Sequence, residues 1–320
     1  MNSVNSSPVC FQNAEGLKLY GIVHRPAEVA KRQGIIICNP GIKSRVGPHR
    51  LYLAMAARFC ELGFSVLRFD PEGLGDSEGQ ITDRLTADVL GSIEYGRLVK
   101  STLAAMNWME RECRTSEFIL TGLCGGAITG LLTAKSDARV RSLLGLGIPV
   151  ISASLTVDPL KFMTDGQLGT IREAYVRKVF TLKPWIRFLT LQTDYKSLAR
   201  SLLQPLKKKL RPKSARNEDS GALAAVPAAE ESNVNRYFAP AFFEMMSSGR
   251  PMLLIFSSAD RLYWEWEEKF ARHYGSRIAA YPGLLEIHVT KDANHIFSSR
   301  ESQEDMLGVA CNWLERHFPI

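Results

Sequence analysis

The sequence predicts an α/β fold: a mostly parallel sheet with helices on both faces, interrupted by an inserted, mainly helical cap. Three observations predict it. Short apolar runs alternate with helix-period segments through residues 1–150, the rhythm of parallel strands joined by crossover helices. That rhythm stops over residues 151–250. It returns over 251–320, so the two flanking stretches read as one core and the middle as an insertion.

The elements follow in order. "LKLYGIVH" (17–24) alternates like a half-exposed strand, and "GIIICNPG" (34–41) is a continuous apolar run that fits a strand buried on both faces. "LYLAMAARFCELG" (51–63) has helical spacing and stops at Gly63. "FSVLRFD" (64–70) is a strand ended by Pro71 and Gly73. Residues 83–109 keep apolar residues at helical intervals and read as one long helix. "EFILTG" (117–122) is a strand, 125–135 a helix and "RSLLGLGIPV" (141–150) a buried strand. After the insertion come "PMLLIFSSAD" (strand), "YWEWEEKFARHYG" (helix), "LLEIHVTKDANH" (strand and loop) and "ESQEDMLGVACNWLERHF" (closing helix).

With 45% hydrophobic and 23% charged residues the chain has an ordinary globular composition. No apolar run reaches the roughly 18 to 20 residues that span a bilayer. The N-terminal "MNSVNSSPVCFQNAEG" lacks the basic-then-apolar order of a secretory signal, so the cytoplasm is the expected compartment. The six cysteines form no CxxC pair and no ligand-like cluster; neither a disulfide framework nor a metal site is expected, and no cofactor motif is present. The net charge of +7 is local: residues 183–216 carry +9 and the rest of the chain −2, which argues against a nucleic-acid binder. The insertion also holds Phe162, Tyr175, Phe180, Trp185, Phe188, Leu189 and Leu191, suited to cover an apolar acyl chain, and a small polar stretch near 212–234 that reads as flexible. Its basic side suits an acyl carrier or an anionic membrane surface, which would place the protein at the inner face of a membrane.

Ligands of such sheets gather at the carboxyl ends of the strands. The strand 117–122 runs into Gly122-Leu123-Cys124-Gly125-Gly126, a G-x-C-x-G pattern. It is the strand-to-helix nucleophile turn with cysteine in place of serine; Gly122 and Gly126 supply the small neighbours that the bend needs. The start of the following helix favours a thiolate there. Asp260 ends the strand at 251–260 and His295 follows the strand at 284–290, giving the order nucleophile, acid, base. An Asp opening a helix also suits an N-cap, and a lone His is commonly structural. The loop after 34–38 and the residue after the nucleophile offer an oxyanion hole of backbone N–H groups: Ile42, or Gly41, with Gly125. "GDSEG" (75–79) also matches G-x-S-x-G, but Ser77 closes no apolar strand and reads as part of a glycine-rich loop.

These residues resemble the α/β-hydrolase superfamily: the G-x-C-x-G turn, "FDPEGLGDSEG", which looks like its D-x-x-G-x-G-x-S segment, and "LKLYGIVHRP", which looks like its opening strand pair. The resemblance covers residues 10–150 and 250–320. More narrowly, G-L-C-G with "IREAYVRKVFTLKPWIRFLTLQTDYKSLARSLL" is similar to the exosortase-A-system-associated hydrolases of bacteria, and the thiol is similar to that of dienelactone-hydrolase-like members. The resemblance implies a Cys124–His295–Asp260 triad that cleaves a carboxylic ester, thioester or lactone through a thioester acyl-enzyme. The same triad would run acyl transfer if water were excluded. A different class of function, a non-catalytic interaction module on the same fold, stays open beside these.

Overall fold

The computed structural model describes residues 5–27, 30–83, 85–152 and 234–319. They build an eight-stranded sheet in the order β1-β2-β4-β3-β5-β6-β7-β8. β1 (Asn5–Gln12) and β2 (Lys18–Arg25) form an antiparallel pair, and β2 runs antiparallel to β4 (Ser65–Phe69). From β4 onward all pairings are parallel, through β3 (Gln33–Ile37), β5 (Glu117–Leu123), β6 (Val140–Leu146), β7 (Met252–Ser257) and β8 (Leu285–Thr290). Parallel neighbours require crossovers, supplied here by helices on both faces.

The apolar runs are continuous because both faces are covered. In β3, Ile36 enters one core with Phe118, Ile128 and Phe242, while Ile35 and Ile37 enter the other with Tyr52, Phe59 and Trp313. α1 (Leu51–Glu61) and the C-terminal helix pack the second face; α3 (Val99–Cys113) and α4 (Gly125–Ser136) pack the first. α4 is buried from Gly125 to Ala134, and a helix apolar all round belongs inside.

Three features differ from the sequence expectation. The segment 83–109 is two helices, α2 (Thr86–Glu94) and α3, because Gly96 takes φ 98° and its N–H caps the Ile93 carbonyl at 2.9 Å. β1 carries too little apolar alternation to be read as a strand; Phe11 is its one deeply buried anchor, stacked 5.8 Å from the Trp108 ring. α5 (Phe238–Ser247) falls in the stretch expected to belong to the cap, yet it packs on α4 as part of the core, with Ala241, Phe242, Met245 and Met246 buried. Beyond β7 lie α6 (Arg261–Trp266), a π-turn (Glu267–Ala271), α7 (Arg272–Ala279), then β8 and α8 (Arg300–His317).

The chain divides into two compact units, residues 1–164 with 233–320 and residues 165–232. The basic segment, the aromatic positions from Phe162 to Leu191 and the polar stretch near 212–234 lie outside the described residues. Among the described residues no helix is long and apolar enough to cross a membrane.

Candidate active site

Cys124 sits between β5 and α4 with φ 53° and ψ −111°, a left-handed backbone that costs a non-glycine residue about 1–3 kcal/mol. Its surroundings fix that conformation. The Cys124 N–H donates to the Leu146 carbonyl at 2.8 Å, and its own carbonyl accepts from Ala127 and Ile128 at 3.0 and 3.2 Å. The flanking glycines are sterically required. A Cβ on Gly126 would lie 2.3 Å from the Cys38 carbonyl oxygen, and one on Gly122 would lie 2.7 Å from the same oxygen.

A second clamp comes from α1. The Tyr52 hydroxyl, fully buried, accepts from the Leu123 N–H at 2.8 Å and donates to the Cys38 carbonyl at 2.9 Å. Burial pushes its phenol well above the usual range, so it keeps its proton. One side chain therefore ties the end of β3 to the residue before Cys124. Sequence reasoning missed it; an aromatic residue on an apolar helix face carries no signal that its hydroxyl is used.

Asp260 and His295 meet at the carboxyl ends of β7 and β8. His295 Nδ1 donates to Asp260 Oδ2 at 2.6 Å. Asp260 Oδ1 accepts from the Leu262 N–H at 3.2 Å and caps α6. One carboxylate oxygen thus caps the helix and the other holds His295. The two loops are stapled together: Asp292 N–H donates to Ser258 Oγ at 2.9 Å and Ala259 N–H to the Ala293 carbonyl at 3.2 Å. Gly147, just past β6, lies beside the pair with a left-handed backbone of φ 49°. A Cβ there would lie 3.4 Å from Asp260 Oδ2 and 3.7 Å from His295 Cε1.

Cys124 lies near enough to His295 to act on its titration, while Asp260 holds the ring through Nδ1. Burial pushes the imidazole down. The hydrogen bonds to Asp260 and Cys124 and their charges outweigh it and raise His295 to about 10. The ring therefore holds its proton at neutral pH.

The oxyanion positions are also adjacent. A Cβ on Gly125 would lie 3.1 Å from the Gly41 nitrogen, so the two backbones touch. The Gly41 N–H donates to the Asn39 carbonyl at 2.9 Å. Ile42 is 45% exposed, and Gly125 opens α4, where the first-turn N–H groups have no intrahelical partner. The loop carrying Ile42 is anchored by Arg45. Its guanidinium bonds the fully buried Asp70 and reaches Asp76 at 2.7 Å, and its N–H donates to Asp70 at 2.6 Å. Ser77 belongs to the same structural unit. Its hydroxyl donates to the Asp70 carbonyl at 2.5 Å and accepts from Tyr20 N–H at 2.9 Å.

No family model matches the chain, and no curated protein matches its sequence. Solved structures do match its shape. A lid-less α/β serine hydrolase from Xanthomonas campestris aligns with TM-score 0.52 at 14% identity, over 100% of this chain and 98% of that one. The α/β hydrolase GrgF from Penicillium aligns with TM-score 0.56 at 18% identity, over 99% and 100%. An esterase from Pyrococcus furiosus aligns with TM-score 0.56 at 15% identity, over 98% and 93%. The sheet order, the strained turn after β5 and these likenesses together give the chain the α/β-hydrolase fold.

Proposed function

We propose that this chain is a hydrolase that cleaves a carboxylic ester, thioester or lactone through Cys124, His295 and Asp260. The observation that carries the proposal is one imidazole bonded to Asp260 at 2.6 Å and near enough to a sulfur on a strained turn for the two to interact. Among structures of the same fold, one is described as an esterase and one as a serine hydrolase, which agrees with this class.

The chemistry follows from the placement. The Cys124 sulfur attacks the substrate carbonyl carbon, and the proton of that thiol resides on His295. The carbonyl π pair moves to oxygen, where the Ile42 and Gly125 N–H groups receive the negative charge. Collapse re-forms the carbonyl, breaks the bond to the alkoxide or thiolate leaving group and leaves a Cys124 thioester. The leaving group takes the proton from His295. Water then attacks the thioester while His295 removes its proton; the acid leaves and the thiol is restored. Asp260 holds the ring and its charge throughout. A thioester forms readily from another thioester or an activated ester and only uphill from an amide, so peptides are poor substrates. An amine or alcohol in place of water would give acyl transfer on the same residues.

The narrower resemblance to exosortase-associated hydrolases fits a bacterial enzyme of this class. We assign the basic segment, residues 183–216, to an anionic partner, an acyl carrier or an anionic membrane surface. Binding that is absent at low salt to both would sink that assignment.

Acylation by a p-nitrophenyl ester tests the chemistry. The wild-type chain should show a burst and an acyl adduct on Cys124 by intact-protein mass spectrometry, and Cys124→Ala should show neither. Equal burst and turnover in Cys124→Ala would end the nucleophile assignment and leave the interaction-module reading in its place. Added amines that divert the adduct to an amide product would identify acyl transfer.

A further inference from the structure

The sheet has two edges, β1 and β8, and they differ. Native sheets blunt exposed edges with proline, lysine or bulges, because unpaired backbone groups invite another strand. β1 contains Pro8, which has no N–H to offer. β8 reads Leu-Glu-Ile-His-Val-Thr, with no proline and no lysine. Parity fixes which of its groups point outward. Met252 N–H donates to the Leu284 carbonyl at 2.7 Å and Ser258 N–H to the Thr290 carbonyl at 3.0 Å. In a parallel ladder such bonds recur at every second residue. Glu286, His288 and Thr290 therefore serve β7, and the backbone groups of Leu285, Ile287 and Val289 face away from the sheet. Among the described residues no strand pairs with that side. At its centre the Ile287 side chain is 42% exposed.

We propose that β8 is a homodimer interface, in which two copies pair antiparallel about a twofold axis at Ile287 and join their sheets into one. Only outward-facing residues can form the new ladder, so Ile287 lies opposite Ile287 of the second copy and Leu285 opposite Val289. The alternate positions then place Glu286 opposite His288, once on each side of the axis. A carboxylate faces an imidazole in both cases, which makes the strand self-complementary, as a twofold interface requires. α8 orients both of these side chains: Asp305 bonds His288 at 2.8 Å, and Arg316 and His317 bond Glu286 at 2.7 and 3.3 Å.

Sedimentation velocity of the full chain at micromolar concentration tests the interface. The wild type should sediment as a dimer. Ile287→Lys should raise the dissociation constant at least about ten-fold with an unchanged circular dichroism spectrum. A second measurement holds if that variant folds poorly. Facing hydrogen-bonded residues of antiparallel strands lie about 5.5 Å apart at Cα, within disulfide reach. Ile287→Cys in a Cys10→Ser background should then give a disulfide-linked dimer under mild oxidation, and the parent background and an exposed Ser276→Cys control should not. A monomeric wild type overturns the proposal. So does a dimer that neither weakens in Ile287→Lys nor cross-links at position 287.

Discussion

Replacing Tyr52 by Phe keeps the ring and removes only the hydroxyl. In the native chain that oxygen accepts from the Leu123 N–H at 2.8 Å and donates to the Cys38 carbonyl at 2.9 Å, with the side chain fully buried. The substitution leaves two buried backbone groups without partners. Each costs about 1–3 kcal/mol, so the expected loss is about 2–6 kcal/mol. At about 2–4 °C per kcal/mol for a domain of this size, that lowers Tm by roughly 4–24 °C. The effect on turnover is separable. Leu123 precedes Cys124, and a displacement of the nucleophile of up to about 1 Å can cost as much as 100-fold, so kcat should fall by about ten-fold or more while KM changes little. Differential scanning calorimetry and ester hydrolysis on the same preparation read both. Tyr263→Phe, partly exposed and outside the clamp, is the control. A Tyr52→Phe melt within about a degree of wild type would refute the clamp, since two unpartnered buried groups cannot be that cheap.

Three further outcomes follow. The folded His295 pKa of about 10 lies above the ordinary 6.5, so the imidazolium contributes stability that is full below about 6.5 and is lost as pH rises through about 10. Thermal melts of wild type and His295→Gln from pH 6 upward should therefore converge over that window, and a constant gap would contradict it. Gly126→Ala puts a Cβ 2.3 Å from the Cys38 carbonyl oxygen, so the backbone must shift; turnover should drop by about 100-fold, and a full-activity variant would show that the turn is looser than described. Burial pushes the Cys38 thiol to about 12 and the Cys60 thiol to about 11, and raises Cys113 and Cys311. Iodoacetamide near neutral pH should therefore reach Cys124 ahead of these four, and His295→Ala should slow Cys124 alone, read by peptide mass spectrometry.

Much of the architecture was legible because a two-sided parallel sheet writes itself as uninterrupted apolar runs, such as "GIIIC" for β3. The strand-end residues Cys124, Asp260 and His295 were legible for a related reason: each follows a strand pattern within a few residues. What stayed hidden is information held across the sheet. β1 is a strand because Phe11 finds Trp108 and Phe69, contacts that no local pattern encodes. The break at Gly96 was masked by apolar spacing that continues through it. Tyr52 and Arg45 act by reaching another element, which no local pattern records.

The geometry at position 124 does not depend on sulfur. Its left-handed backbone is held by its own N–H and carbonyl, by the Tyr52 clamp on Leu123 and by the absence of side chains at 122 and 126. None of these contacts involves the atom on Cβ. A hydroxyl there would start from the same turn, against the same imidazole and the same backbone donors. Cys124→Ser should accordingly keep the turn and lose only the share of the His295 stabilisation that the thiol supplies, and whatever rate it gains or loses belongs to the nucleophile and its acyl bond. An oxygen ester is the less reactive intermediate toward amines and thiols. If the native role is to pass an acyl group onward, the serine variant should lose transfer more than it loses hydrolysis, and a parallel loss of both would place the cysteine's value in the first attack instead.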